Sequence, residues 1–350
     1  EKLIAGMLAN GYEREFSERC FKQLEGFGEY GFPESHAASF ALIVYVSCWI
    51  KHYFPDVFLA ALLNAQPMGF YAPAQLVRDA REHGVEVRPP DVNRSDWDCT
   101  LEPAARPQEP TAEGGGRFAV RLGLRQIKGM KEPAAARIIA ARAAAGRFDS
   151  VDDLARRAGL DRGTTDRLAT ADAFTSIDLN RRKAGWTALA QAGAPLPLFE
   201  HVSDYGTEAA TALPDMSLGE EVAHDYASLR LSLKAHPLSF FRPEFESRGH
   251  TRACDLPAAR DGSWITVAGL VLVRQRPGSA SGVIFATLED ETGVANVIVW
   301  PKTFDRYRKT VMRAKLVGVT GRLQKEGKVI HLIANRLTDH SARLADLADG

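Results

Sequence analysis

Between Ile265 and Ile333 the chain alternates apolar and polar residues in five short runs, with one helical stretch placed between the third and the fourth. The runs are Ile265–Val273, Val283–Glu289, Val294–Trp300, Leu316–Leu323 and Val329–Ile333. A period of two marks strands with one buried face, and Glu289-Asp-Glu-Thr-Gly293 is a turn between the second and third. Pro301 opens a helix to about Tyr307. Few folds accept this order, and it predicts a five-stranded OB barrel.

The chain has 350 residues, enough for roughly two to three domains. With 45% apolar and 25% charged residues it has globular composition, which excludes a disordered or fibrous chain. Residues 1–100 read as helical. Ser35 is placed as N-cap of the apolar helix through Lys51, Pro55 and Pro73 open the next two helices, and Gly84 follows the helix over 74–83. The run Ala37–Ile50 is too short for a bilayer and predicts a buried helix. Val85–Val87 reads as a short strand, and 101–116 as a Pro/Gly-rich loop.

Residues 117–190 are punctuated twice in the same way. Ile127-Lys-Gly-Met130 is a tight hairpin before an Ala-rich helix that opens at Pro133 and stops at Gly146. Ser150-Val-Asp-Asp153 is a capping box for a helix ending at Gly159, and Asp161-Arg-Gly163-Thr is a second turn before a helix to about Ala171. Helix, glycine hairpin, helix, repeated, is a tandem helix-hairpin-helix layout. Residues 191–264 form an acidic connector, 265–335 the barrel and 336–350 a tail. The expected architecture is thus multidomain: a helical portion, tandem helix-hairpin-helix, then an all-β OB barrel.

The net charge is zero, yet it is unevenly spread. Residues 117–185 hold 15 Lys and Arg against 8 Asp and Glu, residues 265–333 hold 11 against 5, and residues 200–229 hold 7 acids and no Lys or Arg. Either excess alone suits a solvated face. Two basic modules, both with nucleic-acid-binding layouts, point to DNA or RNA. Cys20, Cys48, Cys99 and Cys254 form no CxxC pair, which argues against a zinc ribbon or disulfide scaffold and suits a reducing cytosol. No signal peptide is recognisable.

At the first hairpin, Gly129 lets backbone approach a phosphate while Arg125, Lys128 and Lys131 add charge; the alternative is a plain turn between helices. Gly163, flanked by Asp161 and Asp166, has the same two readings. In the barrel, Arg274, Arg276, Trp300, Lys302 and Arg322 supply cations and stacking surface for a single strand. Phe285 is expected in the barrel interior. Gly26-Phe-Gly-Glu-Tyr-Gly31 matches GxGxxG but follows a helical stretch, so its glycines are read as helix breaks. The acids Asp96 and Asp98, Asp152-Asp153 and Glu289-Asp-Glu291 read as turn or cap chemistry, and His36 as a capping or packed histidine. No complete active site emerges.

Gly28-Glu-Tyr-Gly-Phe-Pro-Glu-Ser-His-Ala-Ala-Ser-Phe-Ala41, with Trp49-Ile-Lys51 and Tyr53-Phe-Pro55, resembles the fingers region of bacterial C-family (DnaE-type) DNA polymerases. The likeness continues through Gly84-Val-Glu-Val-Arg-Pro-Pro-Asp-Val-Asn93 and Ile127-Lys-Gly129 into the barrel. Ala65–Tyr71, Trp97–Leu101 and Asp225-Tyr226…Leu231-Ser-Leu-Lys-Ala-His-Pro237 are similar to the error-prone, damage-inducible branch. Two departures separate the chain from a replicative polymerase III alpha subunit. Pro195-Leu-Pro-Leu-Phe199 lacks the clamp peptide's glutamine, which argues against direct sliding-clamp binding, and the tail after Ile333 leaves no room for a clamp-loader-binding domain. Arg230 stands where the family pattern has glycine.

The resemblance implies template-directed DNA synthesis from dNTPs in translesion and mutagenic repair, in the bacterial cytoplasm, with mutasome accessory proteins as partners. It implies that Mg²⁺ is held by palm carboxylates outside this chain, which begins at Glu1 without an initiator Met and is read as a C-terminal fragment. Ser35 and His36 match residues near the incoming triphosphate, where His36 would donate to a phosphate oxygen. Two alternatives stay open: a replicative alpha-subunit fragment, and a non-catalytic DNA-binding scaffold.

Overall fold

The computed structural model describes residues 2–28, 33–67, 69, 71–105, 117–190 and 213–347; Gly31, the stretch 106–116 and the Pro195–Phe199 peptide lie outside them. Five helices lead: α1 (Lys2–Ala9), α2 (Arg14–Gly28), α3 (Pro33–Tyr53), α4 (Pro55–Asn64) and α5 (Pro73–Glu82). Prolines open α4 and α5 as expected, and Gly84 takes φ +79° just beyond α5. Gly26 and Gly28 belong to the last turn of α2. Ser35 is not an N-cap. Helix α3 starts two residues earlier at Pro33, whose fixed φ suits a first turn, and Ser35 is its third residue. Nor is the α3 run buried: Leu42, Ile43, Val44 and Tyr45 are all more than half exposed. Apolar side chains all round mark a helix made for neighbours on every side, and among the described residues its main packing partner is α4.

A small sheet follows: β1 (Val87–Arg88), β2 (Thr100–Pro103) and β3 (Phe118–Arg121), with β3 between a parallel β1 and an antiparallel β2. Buried Asp56 ties it to α4, accepting the N–H groups of Arg117 and Phe118, each at 2.7 Å. Next come α6 (Glu132–Ala145), α7 (Val151–Ala158), α8 (Arg162–Thr170) and α9 (Arg181–Ala190). One core joins these helices to α4, α5 and the sheet, through Leu63, Val77, Leu122, Ile138, Phe148, Leu168 and Phe174. Before the first hairpin stands only a 3₁₀ turn, Leu124–Gln126. The capping box is half formed: Ser150 Oγ accepts the Asp153 N–H, whereas the Asp153 carboxylate pairs with Arg156 and Arg157. The second hairpin turns at Gly159, φ +57°, and Gly163 lies inside α8, because Asp161 caps that helix by accepting the Thr164 N–H.

The acidic stretch after residue 213 is folded into α10 (Leu218–Ser228) and α11 (Arg242–Ser247). Helix α10 begins with a complete capping box between Ser217 and Glu220. Just past its C-cap Leu229, Arg230 has φ +64° and donates its N–H to Tyr226 O. That is the left-handed position just past a helix, where glycine avoids the Cβ clash, and it accounts for the glycine of the family pattern. Arg230→Gly is expected to raise unfolding stability by about 1 kcal/mol, measurable by chemical denaturation; an unchanged or lower value would mean that the arginine side chain offsets its backbone strain.

The barrel comprises β4 (Trp264–Gln275), β5 (Ile284–Glu289), β6 (Val294–Val299), α12 (Pro301–Arg313), β7 (Leu316–Glu326) and β8 (Val329–Asp339); α13 (Arg343–Asp346) follows. It closes in the order β4-β5-β6-β8-β7, the OB arrangement. Strand β4 is long enough to serve both sides, pairing with β7 through its first half and β5 through its second. Its interior holds Val267, Ile284, Leu288, Val297, Val319 and Leu332. Strand β8 outruns the expectation by six residues, since the consecutive exposed Asn335 and Arg336 break the alternation that marks a strand. Helix α12 likewise runs on past a kink at Tyr307.

Candidate nucleic-acid interface

The first hairpin turns at Gly129, φ +78°, and Lys131 is the N-cap residue of α6. The Lys128 N–H donates to Ser228 O at 2.8 Å, so the end of α10 holds this hairpin in place, while the Lys128 and Lys131 side chains are exposed. A Cβ built on Gly129 would lie 3.1 Å from Arg167 Nε, and one on Gly163 would lie 3.7 Å from Arg167 Nη1. Arg167 therefore spans the gap between the two predicted glycines, and the N-termini of α6 and α8 meet around it. The Thr164 N–H bond to Asp161 holds that carboxyl below its usual range, and the nearby charges of Arg167 and Lys131 act in the same direction. Two helix N-termini with converging cations favour an anion such as a backbone phosphate.

Arg125 does not join this group. Its guanidinium is spent on Asp98 (2.5 Å), Asn64 O and Gln66 O. Arg142, Arg147 and Arg157 are similarly engaged with backbone carbonyls of their own module. The positive excess read from composition is thus partly internal, and its exposed cations include Lys128, Lys131, Arg156, Arg162, Arg167 and Lys183. Asp96, read as loop chemistry, is the partner of Arg142.

On the barrel, register lines up one outward row across all five strands. Phe285 pairs with Ile298, Ile298 with Ile333, Ile333 with Arg322, and Arg322 with Trp264. Phe285 is 37% and Trp264 63% exposed. Phe285 therefore faces out, correcting the interior expectation: its neighbour Ile284 takes the buried side, and alternation sends Phe285 to the other. Trp300, 52% exposed, continues the outward parity of β6, and exposed Lys302 stands in the first turn of α12. Arg276 lies over the Phe304 ring at 5.5 Å. Arg322 reaches Gly262 O at 3.3 Å. Arg274 donates to Ala314 O, and burial lowers its guanidinium pKa. Such mixed cations and rings suit stacked bases and a phosphate backbone.

The sequence alone does not mark Trp264 or Arg167. Trp264 stands immediately ahead of the first alternating run, which is the one local signal it carries. Arg167 sits one helical turn after Gly163, a spacing that acquires meaning only once the two hairpins are seen to converge. Ser35 and His36 lie far from both surfaces in sequence, in the first turn of α3, where the His36 ring lies tilted against Phe40 with centroids 4.5 Å apart. Among the described residues no three His, Cys, Asp or Glu side chains come together to hold a metal ion. Nor is any helix among them long and apolar enough to cross a membrane.

Comparison with known proteins follows the same division. Residues 84–184 match the family described as helix-hairpin-helix motif, and residues 265–339 that described as OB-fold nucleic acid binding domain. Over 353 residues the chain is 57% identical to error-prone DNA polymerase 1 of Rhizobium meliloti (strain 1021), covering 97% of this chain and 32% of that protein. It is 54% identical over 357 residues to error-prone DNA polymerase 1 of Agrobacterium fabrum, covering 100% and 32%. It is 53% identical over 351 residues to the error-prone DNA polymerase of Ruegeria pomeroyi, covering 99% and 30%. The chain spans about a third of the length of these relatives, and along nearly all of its own length it is similar to proteins named error-prone DNA polymerase.

Proposed function

We propose that this chain is the DNA-holding part of an error-prone, template-directed DNA polymerase acting in damage-induced mutagenesis and translesion synthesis. The observation that carries the reading is identity above one half, over nearly the whole chain, to proteins so named. The convergence of Lys131 and Arg167 on two helix N-termini supports a grip on duplex phosphates near Lys128, Gly129 and Gly163. The outward row of Phe285, Trp264 and Arg322, with Arg276, Trp300 and Lys302, supports a platform for single-stranded template. Ser35 and His36 on α3 would stand near the incoming dNTP, and His36 would donate to a phosphate oxygen. Mg²⁺ would be held by carboxylates elsewhere in the polymerase, in the bacterial cytoplasm, with accessory proteins of the mutagenic machinery as partners.

The test is binding of the chain to single-stranded and primed DNA over a salt series, with primer extension run in parallel. The expected result is a log K that falls steeply with log[salt], roughly 0.9 per phosphate contacted on duplex, and no extension by the chain alone. Extension by the intact polymerase completes it. Binding that is absent or indifferent to salt would overturn the DNA-holding role.

A further inference from the structure

The acidic tip Glu289-Asp290-Glu291 reads in sequence as a solvated turn, and the structure buries it. Glu289 is 7% and Asp290 3% exposed. Asp290 is satisfied within the barrel side of the molecule, accepting the N–H groups of Ala253, Thr292 and Gly293. Arg242 of α11 grips Asp290 at 3.0 Å and Glu291 at 2.5 Å. Glu289 is used differently. Its carboxylate receives Arg78 Nη1 at 2.6 Å from helix α5 of the other module, and the same nitrogen lies 3.5 Å from Asp290 O and Gly293 O.

The two modules have separate apolar cores. Helix α10 bridges toward the barrel: its C-cap Leu229 lies in the helical core, while Ala223 packs on a third apolar cluster that includes Phe245 and Leu316 of β7. Arg78 adds a desolvated ion pair across the junction, so its orientation is fixed by directional bonds as well as by packing. An exposed pair would contribute little. Glu289, with 9% of its side chain exposed, is not one.

We propose that Arg78 and Glu289 are positioning residues that clasp the barrel to the helix-hairpin-helix module, so that both bind one primed DNA as a single bivalent surface. This rests on the DNA-holding reading of both modules. Two weak sites held at a fixed separation bind a ligand that spans them far more tightly than either site alone, by factors of roughly 10²–10⁴, and lose that gain when the geometry is freed.

The experiment compares three probes on the full chain: a short duplex, a short single strand, and a primer–template junction carrying both. In the R78Q/E289Q variant the two short probes should bind within about twofold of the parent chain, while the junction should lose about tenfold or more in affinity. The charge-swapped R78E/E289R variant should recover most of the loss, and it also carries the test if the glutamine variant fails to melt as a folded protein. Junction affinity that is unchanged, or that falls in step with both short probes, would overturn the clasp. If the parent chain binds neither short probe, the DNA-holding reading fails, and the clasp with it.

Discussion

Replacing Asp225 with alanine is expected to lower the unfolding free energy by about 3–5 kcal/mol. Asp225 and Arg181 form an ion pair with side chains only 6% and 3% exposed. The second Asp225 oxygen accepts the Ser232 hydroxyl at 2.7 Å, and Arg181 Nη1 donates to Glu221 O at 2.9 Å. Alanine would leave a guanidinium inside the protein with no counter-charge, and that desolvation, rather than the lost bond itself, sets the size of the effect. Burial likewise raises the pKa of the neighbouring Tyr226 hydroxyl well above its usual range. Urea unfolding of the single variant and of Arg181→Met/Asp225→Leu separates the causes. The double variant should recover most of the loss; a single-variant cost under about 1 kcal/mol would mean the pair is effectively solvated.

Gly321→Ala is expected to cost about 4 kcal/mol or more and to unfold the barrel selectively. A Cβ at Gly321 would stand 2.1 Å from Ile333 O and 2.8 Å from its carbonyl carbon, where the β7–β8 register shifts. The obstacle is paired backbone, so neither residue can move aside without breaking the ladder. Because the helix-hairpin-helix module has its own core, hydrogen exchange should show strands 264–339 losing protection while helices of 132–170 keep theirs. Full protection across the barrel would contradict the placement of this strand pair.

The barrel was the most legible part of the sequence because alternation reports a buried face directly, and all five runs correspond to strands. Its ends were less legible: Asn335 is the unpaired residue where the β7–β8 register shifts, and the strand resumes at Arg336 with its alternation out of step. Helix α3 was legible as a helix and misread as buried, since composition records what a surface is made for and not which neighbours stand beside it. In sequence Gly163 reads as the hairpin glycine and Gly159 as a helix stop, whereas the turn belongs to Gly159, φ +57°; local glycine signals do not say which of two will carry the positive φ. The acids at 289–291 and the arginines of the hairpin module show the same limit. Their partners lie tens to hundreds of residues away, so local spacing cannot distinguish an internal ion pair from an exposed charge.

The most direct test of the account is the salt dependence of duplex binding by the Lys131→Gln/Arg167→Gln variant beside the parent chain. The expected slope of log K against log[salt] is shallower by about 1.8, two phosphate contacts fewer, with single-strand binding unchanged. An unchanged duplex slope would contradict it, because the convergence of α6 and α8 would then not be where the chain holds the phosphate backbone.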